Sequence, residues 1–274
     1  MRIAACQMVS TMDVEQNVLT AVGLIRSAAQ SGAELIVLPE NFAFMPKSDE
    51  ELLKVAEAPK QGPIQKAMSS IAKEMQIWLV AGTIPLKGHD DKHFINACMV
   101  YGPDGEVATR YDKIHLFQFE RGNEQYNENA TTEPGKEVKN FTMESWEGLW
   151  KVGLGVCFDL RFPELFRQLG NPDIIALPAC FTAFTGRAHW ETLVRARAIE
   201  NQCYVLACAQ GGHHENGRQT WGHSILIDPW GTTVAELTQG EGVLLGEIHA
   251  SRIRQTRTIL PALKSKVMTI NSAQ

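Results

Sequence analysis

Short apolar runs rich in Val, Ile, Leu and Ala alternate along the chain with segments whose apolar positions recur every three or four residues. The first pattern predicts buried strands and the second one-faced helices, so an α/β fold with strands covered by helices is expected, not an all-β sandwich. Arg2-Ile-Ala-Ala-Cys-Gln-Met8 opens the chain as a strand. Asp13 then stands at a capping position, with Gln16 three residues on and Val18, Val22 and Ile25 at helical spacing. A helix that packs one face on a sheet follows from that pattern.

The two halves of the chain share a design. Glu34-Leu-Ile-Val-Leu-Pro-Glu40 returns as Asp173-Ile-Ile-Ala-Leu-Pro-Ala179, and each half later carries a turn signal, Gly102-Pro-Asp-Gly105 and Asp228-Pro-Trp-Gly231, with Pro second and Gly fourth. Two such half-sheets packed face to face, with helices outside, give a four-layer α-β-β-α sandwich that covers both faces of apolar strands. The comparison also isolates Glu40: the second half has Ala179 at that place, so folding does not require the charge.

Composition narrows the partners. A chain of 274 residues that is 44% hydrophobic can bury a large core in one domain, expected to span residues 1–274. The net charge of −5 is spread without blocks, which advertises no surface for nucleic acid and leaves a small molecule as the expected partner. Met1 runs straight into the first strand with no signal-like segment, and no apolar run approaches the roughly 20 residues that cross a bilayer. A cytoplasmic protein without membrane contact is expected. Six cysteines without dense spacing then predict free thiols, and Cys203 and Cys208 lie too far apart for a C-x-x-C motif, within what reads as a buried strand. No H-E-x-x-H motif or Gly-rich phosphate loop is present, so neither a metal nor an organic cofactor is expected. The polar stretch at 118–139, with Gly122, Pro134 and Gly135, reads as a long functional loop.

Three reactive side chains emerge. Cys157 ends a Gly-interrupted strand just before Phe158-Asp-Leu-Arg-Phe-Pro-Glu164 turns into a helix, where a nucleophile would be exposed and nearby backbone N–H groups could bind an oxyanion. A small apolar residue closing a strand is the alternative on spacing alone, and it is the reading for Cys6. Glu40 follows an apolar strand at a sheet's carboxyl edge, either as a general base or as a solvated loop glutamate. Lys113, among aromatic and apolar neighbours, is either a charge stabiliser for a thiolate and an oxyanion or an exposed strand lysine; His115, two residues on, falls on the same strand face. A Cys-His hydrolase would instead draw its base from His115, His189, His213, His214 or His223.

Leu38-Pro-Glu40, Lys113-Ile-His-Leu-Phe117 and Gly155-Val-Cys-Phe-Asp-Leu-Arg-Phe-Pro-Glu164 together resemble, in order, the three signature segments of the nitrilase, or carbon-nitrogen hydrolase, superfamily. The resemblance implies a Glu-Lys-Cys triad at Glu40, Lys113 and Cys157, with the Phe158 N–H at the oxyanion and a second glutamate supporting the lysine. Glu128 matches that second position, with Glu120 and Glu124 close by. It also implies the α-β-β-α fold and a homodimer or higher homo-oligomer, with the last residues an extension at a subunit interface. Phe181-Thr-Ala-Phe-Thr-Gly-Arg-Ala-His-Trp190 and Arg195-Ala-Arg-Ala-Ile-Glu-Asn-Gln-Cys203 are similar to the Nit branch, whose members include amidases of deaminated glutathione. On that likeness Arg161, Phe181 and Thr185 contact an α-keto acid substrate, whose primary amide is hydrolysed through a thioester to carboxylate and ammonia. An internal ion pair of Arg161 with Asp159 or Glu164 is the alternative. Nitriles or carbamoyl amides as substrates, and a non-catalytic binding protein with a vestigial site, are the other functions the sequence allows.

Overall fold

The computed structural model describes residues 1–122 and 124–268, with only the backbone at residue 124. The first half comprises β1 (Arg2–Gln7), α1 (Val14–Gln30), β2 (Leu35–Val37), α2 (Glu50–Val55), α3 (Pro63–Met75), β3 (Trp78–Val80), β4 (Ile84–Lys87), β5 (Phe94–Tyr101) and β6 (Val107–Asp112). A hairpin of β7 (Gln118–Arg121) and β8 (Glu124–Asn127) follows. The second half holds β9 (Asn140–Ser145), β10 (Gly148–Leu154), α4 (Pro163–Gln168), β11 (Ile174–Ala179), α5 (Ala183–Asn201), β12 (Tyr204–Ala209), β13 (Ser224–Ile227), β14 (Thr233–Leu237), β15 (Gly242–Glu247) and α6 (Ala250–Ile259).

One seven-stranded sheet runs β15-β1-β2-β3-β5-β4 with β6 added on β5, and a six-stranded sheet runs β14-β13-β12-β11-β10-β9. Strand β15 closes the chain back onto the first sheet, antiparallel to β1. The expected four layers are present. Alternation along β1 divides its faces: Ile3 and Ala5 enter the core shared with the second sheet, while Ala4 and Cys6 enter the core beneath α1 and α3. Leu35 and Val37 against Ile36 and Leu38 repeat the division in β2. Trp190, Val194 and Ala198 of α5 cover the outer face of the second sheet.

Local signals set the element ends. The Asp13 side chain accepts the Gln16 amide at 3.0 Å and caps α1, whose buried stripe is Asn17, Ala21, Ile25 and Ala28, with Val18 and Val22 at its flank. Both turn signals form, closed by Gly105 N–H to Gly102 O and Gly231 N–H to Asp228 O, each 2.9 Å. Three expectations need correction. The stretch at 118–139 is not all loop, because Phe119 pairs across to Tyr126 in the β7–β8 hairpin, a period-2 aromatic cue within polar sequence. Strand β10 does not pass directly into helix; a 3₁₀ turn at Cys157–Arg161 intervenes before Pro163 opens α4. Strand β6 ends at Asp112, so His115 shares no strand face with Lys113.

The segment after β3 clasps the segment after β2. Leu38 N–H donates to Val80 O at 2.9 Å and Asn41 N–H to Thr83 Oγ1 at 3.0 Å, on either side of Glu40. Gly82 fits between with φ of +49°, and a Cβ there would meet the Pro39 carbonyl oxygen at 2.1 Å. Gly82→Ala should therefore destabilise the protein by roughly 1–3 kcal/mol. A lowered urea midpoint is the expected reading, and an unchanged one would show that this clasp does not fix the Glu40 segment.

Candidate active site

Cys157 begins the 3₁₀ turn beyond β10 with φ of +47°, a left-handed conformation that a side-chain-bearing residue adopts at a cost. Asp159 holds it there. One Asp159 oxygen accepts from Val156 N–H at 2.8 Å and the Tyr111 hydroxyl at 2.7 Å, and the other from His115 N–H at 3.1 Å and His115 Nδ1 at 2.7 Å. This buried carboxylate ties the cysteine turn to β6 and to the segment just past Lys113. His115, stacked on Phe162 at 3.7 Å, is a structural partner of Asp159. Phe158 is the second residue of the turn, where the leading amides have no acceptor within the helix.

Lys113 and Glu40 are 1% and 2% exposed. Lys113 Nζ donates to Glu40 Oε1 at 2.8 Å and to Glu128 Oε1 and Oε2 at 2.9 and 2.8 Å. Asn96 Nδ2 donates to the same Glu40 oxygen at 3.1 Å, while Phe117 N–H fixes Glu128 at 2.7 Å. Glu128 is therefore the second carboxylate on the lysine. Glu120 accepts instead from exposed Gln125, and the side chain of Glu124 lies outside the described residues.

Two carboxylates and one ammonium around a buried thiol set its charge state. Burial raises the Cys157 pKa well above the ordinary thiol range, Glu40 raises it further, and Lys113 only partly opposes them. Burial alone would lower Lys113, but Glu128 and Glu40 outweigh it and hold the ammonium charged. Burial raises Glu128, against the pull of Lys113. The result is a neutral thiol beside a carboxylate that can take its proton, with a fixed cation where negative charge would develop.

Phe117, Phe158, Arg161 and Cys180 join Cys157 around a narrow cleft of about 10 Å³, completed by Phe181, Thr182 and Thr185. Arg161, Phe181 and Thr185 thus line the same cleft as Cys157. No ion pair joins Arg161 to Asp159 or Glu164 among the described residues; its guanidinium lies 3.2 Å from His189 Nδ1 and 5.3 Å from the Phe181 ring. The roles of Asp159, Asn96 and Cys180 escaped sequence reasoning, since they arise from contacts between residues 23 to 56 positions apart. Burial pushes the Cys180 thiol up to about 12. The sequence reading also passed over His89 and His93, which with Asp90 form a group of potential metal ligands on the surface turn after β4, away from the cleft lining.

The carbon-nitrogen hydrolase family profile matches residues 2–258. The chain belongs to the carbon-nitrogen hydrolase family. Deaminated glutathione amidase of Bos taurus is 38% identical over 270 residues, covering 96% of this chain and 81% of the relative. The crystal structure of the Caenorhabditis elegans NitFhit protein aligns with a TM-score of 0.84 at 34% identity, over 97% of this chain and 65% of that one. Saccharomyces cerevisiae Nit3, a member of branch 10 of the nitrilase superfamily, aligns at 0.82 and 29%, over 95% and 94%. As in those hydrolases the fold is a nitrilase-type sandwich, and none of this hydrolase's described helices is long and apolar enough to cross a membrane.

Two measurements probe this hydrolase's site. A raised thiol pKa keeps Cys157 neutral at neutral pH, so its alkylation by iodoacetamide should climb steadily through about pH 6–9; a plateau below the ordinary thiol value of about 8.5 would instead reveal a resting thiolate. Asp159→Asn leaves one oxygen for donors that now use two, and should cost about 1–3 kcal/mol in urea unfolding, with Tyr111→Phe, which removes one donor, costing less.

Proposed function

We propose that the protein is a cysteine-dependent amidase acting on α-keto acid amides, with deaminated glutathione as the substrate class. The observation that carries this reading is the buried Glu40–Lys113–Glu128 array set against a neutral Cys157 at a left-handed turn. Glu40 takes the thiol proton as Sγ attacks the amide carbon, and Lys113 with the Phe158 N–H holds the tetrahedral oxyanion. Glu40 returns the proton to the departing nitrogen. Water, activated by the same carboxylate, then hydrolyses the thioester and restores the thiol. Glu128 keeps Lys113 charged and in place. No step calls for a metal or an organic cofactor.

Likeness to enzymes named deaminated glutathione amidase supports the substrate class. Arg161, charged and without a carboxylate partner among the described residues, suits the α-keto acid end, with Phe181 and Thr185 beside it. The leaving group needs correction: deaminated glutathione has only secondary amides, so cleavage at its γ-carbonyl releases the amine of cysteinylglycine. Ammonia would leave only from short primary amides of the same acid. Six buried free thiols support a reducing, cytoplasmic setting. Exposed Trp146, Leu149 and Trp230, and Val267 and Met268 at the end of the described chain, support a homodimer or higher homo-oligomer. Residues 269–274, the end of the expected interface extension, lie outside the described residues.

Rapid quenching during turnover of deaminated glutathione should trap an acyl adduct on the peptide that contains Cys157, and Cys157→Ala should abolish turnover. Glu40→Gln should lower kcat by about 10²–10⁴-fold. An adduct on any other residue, or full activity in Cys157→Ala, would overturn the mechanism, and hydrolysis of nitriles in preference to amides would overturn the substrate class.

A further inference from the structure

The cleft adjoins a larger vestibule of about 570 Å³ whose chemistry is different. Lys47, Arg121 and Arg218 line it, and no carboxylate is among its described lining, in a chain of net charge −5. The two spaces share a wall. The N-terminal turn of α5 gives Thr182 and Thr185 to the cleft but Ala183 and Phe184 to the vestibule. Tyr126 lines the vestibule with its ring 5.5 Å from Phe117, which lines the cleft. The cationic space thus lies across one turn of α5 from the cleft that holds Cys157.

Aromatic faces hold two of the three cations in position. The Arg121 guanidinium lies 3.9 Å from the Phe184 ring centre, and that of Arg218 lies 4.7 Å from the Tyr126 ring centre. A guanidinium over an aromatic face keeps N–H groups that can donate to a carboxylate. Asp49 in the neighbouring hollow attracts Arg218, yet among the described residues no carboxylate is ion-paired to Lys47, Arg121 or Arg218. Three cations with no ion-paired carboxylate among the described residues, beside the cleft that holds Cys157, suit an anionic ligand.

We propose that this vestibule binds a carboxylate on the amine side of the scissile amide, so that the favoured substrates are secondary amides whose leaving amine ends in a carboxylate. The proposal rests on the amidase reading of Cys157. It divides recognition between two anion sites: Arg161 takes the acyl-side carboxylate inside the cleft, and the vestibule takes the one on the leaving group. It also gives the leaving group a path outward, since the amine departs on the side that opens to solvent.

The test compares deaminated glutathione, its C-terminal carboxamide and α-ketoglutaramate as substrates of the wild type, Arg121→Ala and Lys47→Ala. Both side chains are exposed, so these variants are expected to fold. In wild type the carboxamide should be a poorer substrate than the free carboxylate, through a higher KM. In each variant kcat/KM for deaminated glutathione should fall at least tenfold more than for α-ketoglutaramate, and added salt should reproduce the trend. Equal wild-type handling of carboxylate and carboxamide, or variants that lower both substrates alike, would overturn the vestibule. Wild-type turnover confined to α-ketoglutaramate would keep the amidase reading and remove the vestibule, whereas turnover of none of the three would remove both.

Discussion

The Lys113 ammonium is almost wholly withdrawn from water, and an isolated charge so placed would carry a desolvation cost of several kcal/mol or lose its proton. It stays charged because Glu40 and Glu128 both accept from it, one after β2 and the other in the 3₁₀ turn after β8. The remaining structure of the site follows from keeping these three groups together. Asn96 supports Glu40, Phe117 N–H supports Glu128, and main-chain bonds from Lys113 N–H to Asn96 O and from Gly135 N–H to Lys113 O fix the lysine backbone. Burial keeps the adjacent thiol neutral, and Glu40 reinforces that effect while Lys113 only partly opposes it.

A second carboxylate does mechanical work of a different kind. Asp159 gathers donors from the cysteine turn, from β6 and from the His115 segment, and so couples the backbone strain at Cys157 to the chain that carries Lys113. The Cys157 thiol and the Lys113 cation reach their positions from different sheets, Cys157 from beyond the end of β10 and Lys113 from the end of β6. Face-to-face packing of the sheets, with an apolar core between them, makes that meeting rigid. The Gly82 clasp serves the same end for Glu40 by allowing the Pro39 carbonyl to approach a backbone without a side chain.

The chain by itself determined the architecture and offered the candidate reacting groups. Alternation of apolar runs with helical spacing gave the layers, short-range patterns that secondary structure reads directly, and the repeated Leu-Pro ending isolated Glu40, whereas Cys157 kept a structural alternative on spacing alone until the likeness of three collinear segments to the nitrilase superfamily decided it. Tertiary structure alone decided the rest. Whether Glu120 or Glu128 held the lysine depended on the β7–β8 hairpin, which presents Glu128 inward and leaves Glu120 at the surface. Asp159 looked like a partner for Arg161 because the two are near in sequence, but four donors from three separate segments occupy its oxygens. The cationic vestibule joins Lys47 from the loop before α2, Arg121 from the end of β7 and Arg218 from the loop after β12, which carry no shared motif. Sequence spacing encodes which face of an element a residue occupies, whereas a site assembled from the ends of many elements exists only once packing has brought those ends to one place.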